Sequence, residues 1–457
     1  MPARNHFSPT LRRLVVASLA LAALGASASS LAQASDTSAR EAALEARVAE
    51  LEKLVNELIK EKQTPAPAAA PAAAAAPVPK GAQPVQQVSI LPNAAPGTTF
   101  YVTGYVKADA NWTSTPDGEI PDNASGRDYY VPSQTPIGGE DEGTDFTFQA
   151  KQTRVIVGTN TPLENGDKVT THVEVDFYGS TLGTQNVSNT YAPVLRQAFI
   201  QSKHWLVGQA WSTFMDVGAL PEAVDFIGPT DGTVFIRQSQ LRYTYGGFSI
   251  AAENPQTTIT TYNGTAVASI SSDDNSFPDF IGRYVWKGDW GSVTLAGMAR
   301  QLKYETTGVG SIDDSTWSAA GSLSGKINTW GKDDLRFMLL GGNLGRYVGL
   351  NFTNDVVLTG NGSLEAIDGF AGYLAYRHFW TDKLRSTAFY SVGSYDNPSY
   401  LNGSPANQSS ESWSLNFFYS PIPKLDIGAE YRWAKRELED NDNGTFNRLQ
   451  FTTKYSF

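Results

Sequence analysis

From Phe100 onward the side chains follow a period of two. Phe100, Val102, Val106, Ala108, Ala110 and Trp112 alternate with Tyr101, Thr103, Tyr105, Lys107, Asp109 and Asn111. Val169, Thr171, Val173, Val175 and Phe177 alternate with His172, Glu174 and Asp176, and Leu425, Ile427, Ala429, Tyr431 and Trp433 alternate with Asp426, Glu430 and Arg432. Each such stretch predicts a strand with one apolar and one polar face. No apolar run outside the N-terminus reaches the roughly 18 residues of a membrane-spanning helix. If this chain spans a membrane it must do so as a closed barrel, because lipid leaves no unpaired backbone satisfied.

The connections separate a membrane barrel from a soluble sandwich. Short turns are predicted near Glu164-Asn165-Gly166, Ser202-Lys203, Gly246-Gly247, Lys287-Gly288-Asp289, Gly331-Lys332-Asp333, Thr381-Asp382-Lys383 and Pro421-Ile422-Pro423. Between them lie longer polar segments around 116–145, 180–192, 213–232, 255–277, 305–315, 346–367, 396–410 and 435–445. Short turns at one end and long polar loops at the other are the pattern of an outer-membrane barrel. The count is sixteen strands, eight loops and seven turns. An even count places both ends of the barrel on the periplasmic side. Trp205, Trp286, Trp290, Trp330 and Trp380 stand beside the short turns, as an interfacial girdle would. The expected fold is an all-β, sixteen-stranded antiparallel transmembrane β-barrel over residues 99–457, in the outer membrane of a Gram-negative bacterium and in contact with its lipid and lipopolysaccharide.

Three segments precede it. Residues 1–34 read as a signal peptide: Arg4, Arg12 and Arg13, an apolar stretch from Leu14 to Ala26, and Ala32-Gln33-Ala34 as cleavage site. Residues 40–62 carry Leu44, Leu51 and Leu58 at d and Val48 and Val55 at a, the spacing of a short coiled coil, expected in the periplasm. Residues 63–98 are an Ala/Pro-rich linker, which at about 3.1 Å per residue reaches on the order of 100 Å when extended. Coiled coil and linker together suggest a tether to the cell wall as a second role.

Composition excludes several functions. There is no cysteine, hence no disulfide framework and no thiolate site. Removing residues 1–34, with three Arg and no acid, takes the net charge from -11 to -14. Half of that sits in Pro116–Asp145, where eight acids face Arg127 alone. Such a chain is a poor nucleic-acid binder. The acidic loop could hold divalent cations that bridge lipopolysaccharide, or be merely solvated; it has no calcium-loop spacing. Of the histidines, His172, His204 and His378 fall on or near separate strands, and no G-x-S-x-G, H-E-x-x-H or phosphate-cradling motif is present. No enzyme activity, catalytic residue, metal or cofactor is expected.

The final strand, Leu449 to Phe457, is apolar on one face and ends on an aromatic, and so resembles the C-terminal signal of outer-membrane barrels. A more specific stretch is Gly208-Gln209-Ala210-Trp211-Ser212-Thr213-Phe214-Met215-Asp216, followed by Pro221-Glu222, Asp225-Phe226, Gly228-Pro229 and Arg237-Gln238. With Gly104-Tyr105-Val106-Lys107, Asp176-Phe177-Tyr178-Gly179, Glu253-Asn254-Pro255 and Pro278-Asp279-Phe280, it resembles the DcaP-like family of trimeric outer-membrane porins over nearly the whole mature chain. Ala210 departs from the family motif, where a Thr is expected. The resemblance implies a homotrimer, passive uptake of small anions such as dicarboxylates, and a third loop, Ser212 to Gly232, folded into the lumen as a constriction. Trp211, Phe214, Asp216, Glu222, Asp225 and Phe226 are its candidate residues.

A pore selects by diameter and by rings of charge at its narrowest point. Strand parity turns Arg154, Arg283, Arg300, Arg336, Arg377, Arg385, Arg432 and Arg448 inward, with Lys107, Lys326 and Lys454. Asp109, Glu174, Asp176, Glu253, Asp426 and Glu430 share that face. Arg237 and Arg242 have opposite parity; Arg237, beside the inward loop, is taken as the anion contact, and Arg196 and Arg242 are left open. A basic wall concentrates anions; the alternative for each single arginine is that it braces the wall by pairing with an acid. A phosphate-selective or general anion porin is the nearest alternative, but Ser212–Gly232 contains no Lys or Arg.

Overall fold

The computed structural model describes residues 97–141, 143–179 and 188–457, together with Lys53, Val85, Gln86 and Ala95. The signal peptide, the coiled coil and most of the linker lie outside the described residues. Val85–Gln86 pairs antiparallel with Phe100 and Tyr101.

Sixteen wall strands close on themselves. They are β1 (Thr99–Ser114), β2 in two pieces (Thr144–Gln149 and Arg154–Pro162), β3 (Lys168–Asp176), β4 (Val194–Ser202), β5 (Trp205–Trp211), β6 (Arg237–Tyr245), β7 (Phe248–Glu253) and β8 (Asp279–Gly288). Then come β9 (Gly291–Glu305), β10 (Asp313–Asn328), β11 (Asp334–Gly342), β12 (Asp368–Phe379), β13 (Leu384–Asp396), β14 (Asn407–Tyr419), β15 (Leu425–Leu438) and β16 (Asn443–Ser456). Each pairs antiparallel with the next. β16 returns to β1, from Tyr105↔Ser456 to Ser114↔Asn447. The two pieces of β2 pair in turn with the two halves of β1, and residues 150–153 bulge between them.

The wall has the expected parity. Lys107, Asp109 and Asn111 are buried inside, whereas Val102, Val106 and Trp112 are exposed outside. The five tryptophans beside the short turns are all exposed. Connections of two residues join β4 to β5, β6 to β7 and β8 to β9. Lys203 (φ 51) and Gly246 (φ 58) open two of them, as the mirror-image turns of tight hairpins require. The wall is uneven: β3 to β7 have 6 to 9 residues, whereas β9, β10, β15 and β16 have 14 to 16. At about 3.4 Å per residue the tall side projects well beyond a membrane core roughly 30 Å thick.

That projection corrects two boundaries. β14 begins at Asn407, inside the expected loop 396–410. The expected loop 435–445 reduces to a reversal at Glu439–Asp442, closed by Leu438 N–H to the Asp442 carbonyl at 2.9 Å, with Asn441 left-handed. Lys435, Arg436 and Glu437 are polar on both faces because this part of the strand stands in water. Two other loops carry structure the sequence pattern did not announce. The hairpin Thr257–Tyr262/Val267–Ser272 and the short strands Val356–Leu358 and Leu364–Ala366 join in a small four-stranded sheet over the loop end, with a parallel pair at Ile259↔Val356.

Candidate functional site in the barrel lumen

The segment between β5 and β6 turns into the barrel and runs along its inner wall. At its start Thr213 N–H donates to Glu253 of β7 at 2.6 Å and its hydroxyl to Gln240 of β6 at 3.1 Å. Phe214 and Met215 are each 1% exposed and seat the first turn in the core. Asp216 caps the 3-10 turn Val217–Ala219 through Gly218 N–H at 3.0 Å and accepts from Ser324 of β10 at 3.1 Å.

The wall from β11 round to β1 then holds the loop strand by strand. Tyr373 of β12 donates to the Ala219 carbonyl at 2.9 Å, and Arg336 of β11 to the Leu220 carbonyl. Arg385 of β13 grips Glu222 with two bonds of 2.7 and 2.6 Å. Asn416 of β14 donates to the Glu222 carbonyl at 3.0 Å, and Val224 N–H reaches Glu430 of β15 at 2.8 Å. Lys107 of β1 donates to the Val224 carbonyl at 2.8 Å. Tyr130, from the β1–β2 loop, donates its N–H to Asp225 at 3.0 Å and its hydroxyl to Asp231 at 2.8 Å. Phe226 packs against Tyr129 and Tyr178, with ring centroids 5.1 and 4.7 Å away. On the way back Gly232 lies on the β12 backbone, where a Cβ would stand 2.1 Å from the Gly372 carbonyl oxygen.

With this loop against one side of the wall, open space remains on the other. A cavity of about 400 Å³ lies between the loop's first turn and strands β4, β5, β6, β8 and β9. Arg242, Arg283, Lys287 and Trp211 line it, together with Asp216. Arg283 donates to the Met215 carbonyl at 3.1 Å. Among the described residues neither Arg242 nor Arg283 has a carboxylate within 4.0 Å. Register sets the two diagonally across β7, Arg242 opposite Ala251 and Arg283 opposite Ser249. Strand spacing and rise put their Cα atoms roughly 12 Å apart. The small side chains between them leave both guanidinium groups room to face the cavity.

The other arginines expected in the lumen have partners. Arg154 meets Glu174 at 3.1 Å and Asp176 at 3.6 Å. Arg300 meets Asp355 at 2.6 Å and Asp279 at 3.2 Å, all fully buried. Arg336 meets Asp334 at 2.7 Å, and Arg377 meets that same Asp334 and Glu222. Arg385 adds Asp426 at 3.0 Å, and Arg432 lies 3.2 Å from Glu430. Arg448 pairs with no carboxylate in range among the described residues, but it is sealed under the β1–β2 loop, donating to Thr113 at 2.8 Å and to the Gly126 carbonyl. Arg196 turns inward at a bulge opposite Glu174/Val175 and bonds Glu174 and Asp176, each at 2.7 Å. The three lysines also stand beside acids: Lys107 by Asp109, Lys326 by Asp334 and Lys454 by Asp426.

Arg237 falls on the parity opposite the buried Gln238 and Gln240, yet its guanidinium packs over Trp211, which lines the cavity, and over Phe235, at 5.0 and 5.7 Å. Arg196 stands over the same Trp211 ring, 5.7 Å away, and Phe235 packs against Phe226 of the inward loop at 5.5 Å. Arg242, left open by the sequence, shares the Gln240 face and also lines the cavity. The acidic β1–β2 loop is partly neutralised, with Arg127 holding Glu119, Asp122 and Asp145. His172, His204 and His378 sit on separate elements with separate partners, respectively Tyr101, the Thr244 carbonyl and Asp333.

Comparisons place this geometry. The structure of the outer membrane channel DcaP of Acinetobacter baumannii superimposes with a TM-score of 0.64 at 23% identity, covering 79% of this chain and 97% of that one. OmpT of Vibrio cholerae gives 0.49 at 14% identity, over 81% and 100% of the two chains. OmpF of Salmonella typhi gives 0.49 at 14% identity, over 79% and 98%. No curated protein matches the sequence. The family model for DcaP outer membrane protein matches residues 92–457. The chain belongs to the DcaP outer membrane protein family.

Proposed function

We propose that this protein is an outer-membrane porin through which small hydrophilic solutes diffuse passively, with preference for small anions such as dicarboxylates. The observation that carries the preference is the pair Arg242 and Arg283. Both line the same cavity and neither is neutralised by a carboxylate in range, while six of the arginines expected in the lumen are. A dry-walled aqueous passage with two uncompensated guanidinium groups raises the local anion concentration. Each planar fork accepts a carboxylate through two hydrogen bonds, and water keeps the contact weak enough for release.

The working unit in this reading is a homotrimer in the outer membrane, with the long loops outside and the short turns, linker and coiled coil in the periplasm. Asp216 lines the same cavity and opposes the preference. The sign of selectivity is therefore the test. In a planar bilayer under a salt gradient, the reversal potential of the wild type is expected to move toward the chloride equilibrium, and the doubly substituted Arg242→Gln/Arg283→Gln protein to lose that displacement. A wild-type potential displaced toward the cation equilibrium ends the anion reading and leaves the porin reading standing.

A further inference from the structure

A second cavity, of about 300 Å³, opens at the long-loop end, walled by the small loop sheet, the β13–β14 loop and the end of β15. Its one arginine, Arg436, is incompletely used. Arg436 Nε donates to Asn407 Oδ1 at 2.8 Å and Nη1 to the Thr135 carbonyl at 2.9 Å. Among the described residues Nη2 has no hydrogen-bond partner, and no carboxylate lies within ion-pair distance of the group. Thr353, 6% exposed, also lines the cavity, and its buried hydroxyl has no partner. Nor has the side-chain oxygen of Asn351. Asn397 spends its amide N–H groups on the Asn407 carbonyl at 2.8 Å and on Glu439 at 2.9 Å, which leaves its Oδ1 as a spare acceptor.

The wall presenting these groups is fixed in an unusual shape. Gly349, Leu350 and Asn351 are consecutive left-handed residues, with φ of 62°, 59° and 62°. A branched side chain such as Leu resists that conformation, and strain of this kind persists only where the surroundings over-determine it. Here Phe352 is 2% exposed against Tyr395, and Asp355 is anchored by Arg300 and Thr258. The unpaired groups are thus held rather than free to find partners of their own.

We propose that this vestibule binds a small polyhydroxylated carboxylic acid before it enters the lumen, a reading that rests on the protein being a channel. The carboxylate takes hydrogen bonds from Arg436 Nη2 and the Thr353 hydroxyl. Hydroxyl groups of the solute donate to the side-chain oxygens of Asn351 and Asn397. A neutral sugar would leave the guanidinium unanswered, and a simple dicarboxylate would leave the two acceptors unanswered and meet the charge of Glu439.

The test uses the full-length protein in a planar bilayer, with gluconate added on the long-loop side. Gluconate is expected to interrupt the current in a concentration-dependent way, with glucose far weaker. Arg436→Gln should raise the half-blocking concentration at least about tenfold, as loss of one charge-assisted hydrogen bond implies, with conductance in potassium chloride unchanged. Thr353→Val preserves shape and should raise the same concentration by a smaller factor, which keeps the test available if the arginine variant fails to assemble. Absence of block in the wild type, block by glucose as strong as by gluconate, or block unchanged in both variants would overturn the proposal. Arg242→Gln should shift ion selectivity, and Arg436→Gln should still raise the half-blocking concentration in that background. Loss of the lumen effect alone would therefore count against the anion preference and not against this site.

Discussion

Arg385 holds Glu222 in a two-bond clamp, 2.7 and 2.6 Å long, across 163 residues of sequence. It ties the inward loop to the wall midway along its path. Arg377 stands 3.6 Å from the same carboxylate. Glu222 thus neutralises two wall arginines at once. Glu222→Gln keeps the shape, removes the charge and leaves both guanidinium groups less compensated. It should increase anion preference and raise current noise as the loop loosens, at a stability cost of about 1–3 kcal/mol. Reversal potential and single-channel noise give the readout. A quiet channel with wild-type selectivity would show that the clamp matters to neither.

Gly232 is the position where the loop can least accept a side chain. Its added Cβ would fall 2.1 Å from the Gly372 carbonyl oxygen, with further backbone atoms at 2.2 and 2.5 Å. Backbone on both sides cannot yield as a side-chain tip would, so Gly232→Ala must displace the loop from β12, at a cost of about 1–3 kcal/mol or more. The expected result is a changed single-channel conductance with the barrel still folded, seen as unchanged β-sheet circular dichroism. Wild-type conductance would mean the loop does not border the conducting path.

The loop's course explains what the sequence did and did not disclose. Parity along β1, β3 and β15 was legible because lipid-facing Val, Leu and Trp alternate with Lys, Asp and Glu. Turn positions were legible from Gly, Asn and Asp. Which arginines remain unneutralised was not. Arg300 finds Asp355 on a loop 55 residues away, and Arg385 finds Glu222 on another. Parity says that a side chain faces inward and nothing about what a distant loop lays against it. The same gap hid the vestibule, whose groups come from four loops and one strand end with no local motif.

Asp216 sits on the lumen loop opposite Arg242 and Arg283 and, among the described residues, accepts only from the Ser324 hydroxyl and the Gly218 N–H that it caps. Asp216→Asn keeps an acceptor for the Gly218 N–H, offers the Ser324 hydroxyl an N–H donor in place of the second oxygen, and deletes the opposing charge. Anion preference should rise without loss of thermal stability beyond about 1 kcal/mol. A reversal potential equal to the wild type's would place the carboxylate outside the selective region.

Asp355 supplies a pH dependence whose sign can be worked out. Burial alone would push its carboxyl up, but the Arg300 guanidinium, with hydrogen bonds from Arg300 and the Thr258 backbone, carries it below the usual carboxylate range. A group whose folded value is depressed contributes stability that is present in full above the unfolded value, about 4, and lost as pH falls through the folded one. The anchor of the β11–β12 loop should therefore hold from neutral pH down to about 4 and weaken below it. Acidifying the long-loop side from pH 5 to 3 should then increase slow gating in the wild type. Asp355→Asn should gate at every pH and show no further change over that interval, because Arg300 then keeps Asp279 and the Gln256 carbonyl but has lost its charged anchor on the β11–β12 loop. Pulsed hydrogen exchange over residues 345–358, compared between the two proteins at each pH, reports the same transition directly. A wild-type loop equally protected at pH 5 and 3 would mean that Asp355 stays ionised throughout, or that Arg346, Tyr347 and the loop sheet hold the segment without it.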